Sequence, residues 1–177
     1  MLAIKILSLF IQRGLYGISK PTIGAKIRPM NEFARTFTIR WADVDINRHM
    51  RHSAYNDYAA HVRVQLLDDI GMDIDTLSRL KFGPVLFREE TVFYRELGMN
   101  QEITVDVKLK SMRKDGSRWS FIHEIKNTDG KTAATVTVDG AWIDLEKRKL
   151  TPLPEQFREA IDKIPRTDDF VIAPDKS

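Results

Sequence analysis

The stretch from Ile103 to Trp142 alternates apolar and polar residues and is interrupted twice by Asp-Gly pairs. That pattern restricts the chain to an antiparallel sheet with tight hairpins. Ile103, Val105, Val107 and Leu109 alternate with Thr104, Asp106, Lys108 and Lys110. Trp119, Phe121 and Ile125 continue the period, and Ala134, Val136, Val138 and Trp142 supply a last strand. Asp115-Gly116 and Asp129-Gly130 fall between these runs, where a hairpin needs the positive φ that glycine adopts at no steric cost. An extended run from Pro84 to Leu97 precedes them. Upstream, Phe37, Ile39 and Trp41 alternate with Thr38 and Arg40, a strand with one buried face that leads to Asp43 and Asp45.

A long helix separates that first strand from the rest. Tyr55, Tyr58, Ala59, Val62, Leu66 and Ile70 form its apolar stripe, Ser53 is placed to cap its start, and Gly71 is placed to end it. Residues 72 to 83 read as a loop or short helical turn, and a terminal helix is expected near Pro154 to Ile164. The predicted order is strand, long helix, four antiparallel strands and a terminal helix, an α+β class in which one helix is wrapped by a sheet.

At 177 residues the chain holds one well-buried domain and is too short for two comfortable ones. A hydrophobic share of 42% with 30% charged residues is that of an ordinary soluble globular protein. The absence of cysteine excludes disulfides, thiolate metal sites and a cysteine nucleophile, and fits a reducing, cytoplasmic setting. A net charge of +3 gives no nucleic-acid footprint. In residues 1 to 18 Lys5, Ser8 and Gln12, with Ser19 just beyond, recur among apolar residues at roughly helical spacing, which predicts an amphipathic helix. It is expected to pack on protein, with membrane contact as the alternative, because Lys5 and Arg13 are its only cations. The expected division is 1–33 for this helix and a connecting segment, 34–150 for the domain, and 151–177 for a C-terminal helix and tail.

The stretch from Trp41 to Tyr58, WADVDINRHMRHSAYNDY, concentrates the candidate chemistry. Asp45, His49 and Tyr55, at the spacing they keep here, resemble the signature of the hotdog-fold acyl-CoA thioesterases, the 4-hydroxybenzoyl-CoA thioesterase-like group, over roughly Ala34 to Leu150. The resemblance implies a hotdog fold, an antiparallel β-sheet wrapped around a long central helix, here with an added N-terminal helix. It also implies hydrolysis of an acyl-CoA or acyl carrier protein thioester by a homodimer or tetramer, without cofactor or metal. Asp45 is then the nucleophile or general base, backbone N–H groups around His52 to Tyr55 are the oxyanion donors, and His49 and Met50 bind substrate. Thioester hydrolysis asks for such a set: a base or nucleophile, and fixed donors where the oxyanion develops.

Asp43 and Asp57 are competing carboxylates. Asp57 shares a helix face with His61 at i and i+4 and offers an alternative catalytic position on the helix. The chain also departs from the signature. Arg48 stands where glycine is common, so that a left-handed turn must be borne by Asn47 or be absent, Arg51 and His52 replace an Asn-Asn pair, and His61 stands where a Glu is frequent, while Arg63 keeps the pattern. Lys108, Lys110, Arg113, Lys114 and Arg118, with Arg88 and Arg95, are candidate partners for the CoA phosphates, and Met50, Phe82, Phe87 and Tyr94 for the acyl pocket. Two further readings stay open. One is a hotdog hydratase, whose Asp-x-Asn-x-x-His loop Asp45-Ile46-Asn47-Arg48-His49 resembles with one residue missing; the other is a non-catalytic acyl-CoA-binding protein.

Overall fold

A computed structural model describes residues 33–174, so the expected N-terminal amphipathic helix lies outside the described residues. Eight strands form one curled sheet: β1 Ala34–Thr38, β2 Phe82–Phe93, β3 Glu102–Asp106, β4 Lys108–Arg113, β5 Arg118–Lys126, β6 Thr132–Asp144, β7 Lys149–Leu150 and β8 Arg166–Ala173. The helices are α1 His52–Asp69, α2 Ile74–Arg79 and α3 Arg158–Asp162. β3 and β4 follow each other along one edge of β5, β6 lies on its other edge, and β2 pairs with β6. β1 and β8 extend the β3/β4 side, and β7 pairs with the end of β6. All pairings are antiparallel except that of β4 with β8.

The inward residues of the alternating strands meet the helix stripe. Ala54, Tyr55, Tyr58, Ala59, Val62 and Leu66 are buried on α1, opposite a sheet face that includes Ile103, Val105, Phe121, Ile125, Val136 and Val138. Each of the larger aliphatic and aromatic side chains among them contributes about 1.5–3 kcal/mol on burial, which is why α1 is held although its sequence is only weakly amphipathic. The helix ends where expected, with Gly71 at φ 77 just past its last turn. Gly116 and Gly130, at φ 74 and 75, carry the hairpin turns. This is the hotdog arrangement that the motif implies.

Two expectations are corrected. The strand ends at Thr38 and not at Trp41, because the chain turns into a 3₁₀ turn at Trp41–Asp43 and leaves Trp41 82% exposed. The C-terminal tail is not featureless: after α3, Arg166–Ala173 adds β8 in parallel to β4 and satisfies that strand's outer edge. The terminal helix is present but short, a 3₁₀ turn at Glu155–Phe157 running into α3, and Phe157, Ile161 and Ile164 are buried.

Gly140 is set by close approach instead of by backbone conformation. A Cβ there would lie 2.3 Å from the Trp119 ring and 2.7 Å from the Val85 carbonyl oxygen. Since Trp119 is itself packed on Phe121 and Trp142, the ring cannot give way cheaply. Gly140→Ala is expected to destabilise the fold by about 1–3 kcal/mol. Urea unfolding measures this, and an unchanged midpoint would contradict the packing described.

Candidate active site

The segment joining β1 to α1 places two aspartates in opposite roles. Asp43 is 1% exposed. Its Oδ2 accepts from the Arg40 backbone N–H at 3.2 Å, from Arg40 Nε at 2.9 Å and from the Tyr58 hydroxyl at 2.7 Å, while Oδ1 accepts from Arg40 Nη2 at 3.0 Å. The Arg40 hydrogen bonds lead in holding its pKa down to about 2. Asp43 therefore braces the segment against α1 through Tyr58.

Asp45 is exposed and closes a tight hairpin. Its N–H donates to the His49 carbonyl at 2.8 Å, the Arg48 N–H donates to the Asp45 carbonyl at 3.0 Å, and Val44 bridges Met50. Oδ1 accepts from the N–H groups of Asn47 at 2.8 Å and His49 at 3.2 Å, whereas Oδ2 has no partner among the described residues. The backbone thus fixes the carboxylate through one oxygen and leaves the other to the surroundings.

Three-residue hairpin loops put their last residue in the left-handed region. That residue is Arg48, at φ 65, and so the expectation that Asn47 bears the turn, or that none exists, is corrected. Pairing of Asp45 with His49 fixes the left-handed position whatever side chain occupies it. A non-glycine residue there costs about 1–2 kcal/mol, so Arg48→Gly is expected to gain about 0.5–1 kcal/mol after glycine's larger entropy loss is subtracted. A thermal shift checks this, and a lower midpoint would contradict it.

The helix start also differs from expectation. Arg51, not Ser53, is the N-cap residue, and it offers no side-chain cap. Its N–H donates to the Asp43 carbonyl at 2.8 Å, which begins the helix two residues early and places Ser53 inside the first turn, where its Oγ accepts from Arg51 Nη1. The His52 and Ser53 N–H groups consequently have no partner among the described residues. Such free N–H groups carry the positive end of the helix dipole.

The structure brings Asp45, His49, Met50, His52 and Tyr55 together. With Phe93, Tyr94, Arg95 and Glu96 they line an open cleft of about 410 Å³. His49 Nε2 lies 3.4 Å from Glu96 Oε2. Tyr55 is buried edge-on to Phe93 at 5.0 Å, and burial first, then Glu96 and Asp45, push its hydroxyl pKa up, so it stays protonated. Met50 is buried beneath the hairpin, its N–H donating to the Leu97 carbonyl at 2.6 Å.

Asp57 is elsewhere. It pairs with Arg51 at 3.0 Å and lines a different cleft with Phe37, Arg40, Tyr58 and His61. Of the acyl-pocket candidates, Tyr94 joins Met50 in the Asp45 cleft, whereas Phe82 is stacked on Trp142 and Phe87 lies under Arg118. Among the basic candidates Arg95 alone lines that cleft. Arg88 pairs with Glu90 and Asp139, and Lys108 with Asp106.

One group escaped the sequence reading. His123 is fully buried on β5; its Nδ1 lies 2.7 Å from the Asp106 carbonyl and its Nε2 lies 3.0 Å from Arg63 Nη1. A carbonyl only accepts and a guanidinium only donates, so Nδ1 carries the proton and Nε2 is bare. Burial, with the Arg63 charge second, pushes its pKa down to about 3. The signal lay in the period: His123 falls in the same alternating row as Phe121 and Ile125.

The thioesterase-like superfamily matches residues 39–161, and the chain belongs to it. No curated protein matches it significantly. Among solved structures it resembles a hypothetical protein from Staphylococcus aureus in complex with CoA, at 24% identity and a TM-score of 0.71 over 76% of this chain and 86% of that one. It also resembles a 1,4-dihydroxy-2-naphthoyl-CoA thioesterase from Synechocystis, at 17% identity and a TM-score of 0.67 over 74% and 96% of the two chains. A probable thioesterase from Escherichia coli matches at 15% identity and a TM-score of 0.65 over 76% and 99%.

Proposed function

We propose that the chain is an acyl-CoA thioesterase that releases a carboxylic acid and free CoA, with Asp45 as nucleophile or general base. The observation that carries this reading is the free Oδ2 of Asp45 beside an uncapped helix start in one cleft. As base, Oδ2 takes a proton from water as the water oxygen attacks the thioester carbonyl. As nucleophile, it attacks directly and the acyl-Asp45 anhydride is then hydrolysed. On either route the His52 and Ser53 N–H groups receive the oxyanion, the C–S bond breaks, and CoA leaves as the thiolate. One such donor is worth about 3 kcal/mol in comparable sites. His49, held by its own backbone and Glu96, and Met50 bound the acyl carbon's side of the cleft, and Arg95, which lines the cleft, is the cation offered to CoA.

A thiol-release screen across short, long and aromatic acyl-CoA substrates tests the reading. Release above the uncatalysed rate is expected for at least one class, and tight binding without release from any would leave an acyl-CoA-binding protein instead.

A homodimer completes the proposal. β2 is paired with β6 alone, so its outer edge is open among the described residues, and Leu86, Phe87, Val92 and Phe93 on it are 39–53% exposed. An open apolar edge of this kind is normally covered. Light scattering is expected to give a dimer or a larger multiple, and an active monomer would contradict it.

A further inference from the structure

Two loops meet at one end of the molecule, the hairpin that follows β1 and the turn between β2 and β3. The His49 and Gly98 backbones bridge, the Ile39 N–H donates to the Gln101 carbonyl at 2.9 Å, and the Asn100 N–H donates to the Ile39 carbonyl at 3.0 Å. The joined tip carries three large apolar side chains in the open: Ile46 is 98% exposed, Trp41 82% and Met99 46%. They border one groove, which Asp45 and Arg48 also line. Its backbone bonds hold the tip in shape, so these are not core residues left out by a loose loop. None of the three lies on the β2 edge assigned to the dimer.

A single exposed apolar residue is ordinary, whereas three on one fixed tip mark a contact surface. Three side chains fall short of the about 800 Å² that each partner of a stable protein interface buries. A lipid surface asks for less, because a few apolar side chains enter it as a wedge and an indole ring settles at headgroup level. Charge points the same way. Arg40, 72% exposed in front of its buried partner Asp43, and the exposed Arg48 flank the tip. Of the 28 Lys and Arg residues, five lie in residues 1–31 with no acid among them, leaving 23 against all 25 acids in the rest of the chain. Such a basic run is drawn to anionic headgroups. It joins β1 at Phe33, and 31 residues extend to about 100 Å, against at most about 26 Å from Phe33 to Trp41.

We propose that this tip docks on an anionic lipid surface, with Trp41, Ile46 and Met99 entering the headgroup layer, Arg40 and Arg48 meeting its phosphates, and the basic residues 1–31 adding attraction. The docking itself goes beyond the thioesterase reading. Its consequence rests on that reading: Asp45 borders the same groove, so the site lies against the layer in which long-chain acyl thioesters dissolve.

Co-sedimentation of the full chain with vesicles tests the docking, using an equal mixture of phosphatidylcholine and phosphatidylglycerol and, beside it, phosphatidylcholine alone. Binding to the mixture is expected, and binding at least about tenfold weaker to phosphatidylcholine alone. Ile46→Ser and Trp41→Ser are each expected to weaken binding to the mixture at least about tenfold, since each removes one large side chain from the lipid. Both positions are exposed, so neither change removes a core contact, and circular dichroism confirms the fold. Tryptophan emission gives a second reading, because Trp119 and Trp142 are buried. Vesicles are expected to shorten the emission wavelength of the parent and to leave that of Trp41→Phe unchanged. No binding, equal binding to the two vesicles, or binding indifferent to Ile46→Ser and Trp41→Ser would each overturn the proposal, the last by leaving residues 1–31 as the whole anchor. So would an oligomer that dissociates in Ile46→Ser without vesicles, which makes the tip an interface between copies. A Trp41 emission that lengthens in the vesicle-free protein when residues 2–18 are deleted would also overturn it, by seating that segment on the tip. A protein that binds vesicles but releases no thiol refutes the thioesterase reading alone. A protein that releases thiol but binds no vesicle refutes this one alone.

Discussion

Asp45→Asn is expected to lower thiol release by at least about 100-fold with the fold intact. Asparagine keeps the shape and can still accept the Asn47 and His49 N–H bonds through its amide oxygen, so the hairpin has no reason to open. What is lost is the second oxygen, the one without a partner, as base or nucleophile. A positioned base contributes about 10² to 10⁴ in rate, and the lower end sets the expected loss. The companion variant, Asp57→Asn, removes an ion pair with Arg51 in a different cleft and is expected to change turnover less than about threefold, since exposed pairs are worth about 1 kcal/mol or less. Circular dichroism on both proteins confirms folding. Wild-type turnover in Asp45→Asn would remove Asp45 from the mechanism, and a larger loss in Asp57→Asn would move the carboxylate to the helix.

The fold was legible where the sequence repeats a physical rule. Alternation from Ile103 to Trp142 and the two Asp-Gly turns define the hairpins, and Gly71 ends α1 as its position predicts. The readings failed where a distant backbone bond overrode a local preference. Ser53 is a good N-cap by type, yet the bond from Arg51 N–H to the Asp43 carbonyl starts the helix first. Arg48 is a poor left-handed residue, yet the closing pair of the hairpin assigns it that conformation. Trp41 continued an alternation that the 3₁₀ turn had already ended. β8 was hidden because Asp168 and Asp169 interrupt its apolar pattern, and its pairing with β4 is decided by an open edge that no local sequence reports. Asp45, His49, Met50, His52 and Tyr55 line one cleft because they lie within one hairpin and one helical turn and could hardly be separated.

The buried pair Arg63–His123 was not legible, and it carries the second large effect, a loss of stability in mild acid. The folded pKa of His123, about 3, lies below the ordinary value of 6.5. Between those values the unfolded chain binds a proton that the folded chain refuses, so stability is complete above about pH 6.5, falls as the pH drops, and stops falling on this account near pH 3. The refusal has a geometric cause: a proton on Nε2 would face the Arg63 N–H at 3.0 Å, donor against donor and cation against cation, on a fully buried ring. At 1.36 kcal/mol per pKa unit the whole fall is on the order of 5 kcal/mol. Asp43, whose pKa is held down to about 2, adds a separate loss as the pH falls from 3.8 towards that value; Glu124, held below its ordinary 4.5, adds to it and Asp106, raised by burial above 3.8, opposes it, so within the window from pH 4 to 6.5 it is the comparison with a His123 variant that isolates His123. Urea unfolding across that window is expected to show the slope in the parent protein and to lose most of it in His123→Gln, which can accept from Arg63 but does not titrate. The variant is less stable at pH 7 because the Asp106 carbonyl loses its donor, so the two curves converge as the pH falls. Parallel curves would mean that His123 binds its proton as readily folded as unfolded, and the tautomer assigned to it would be wrong.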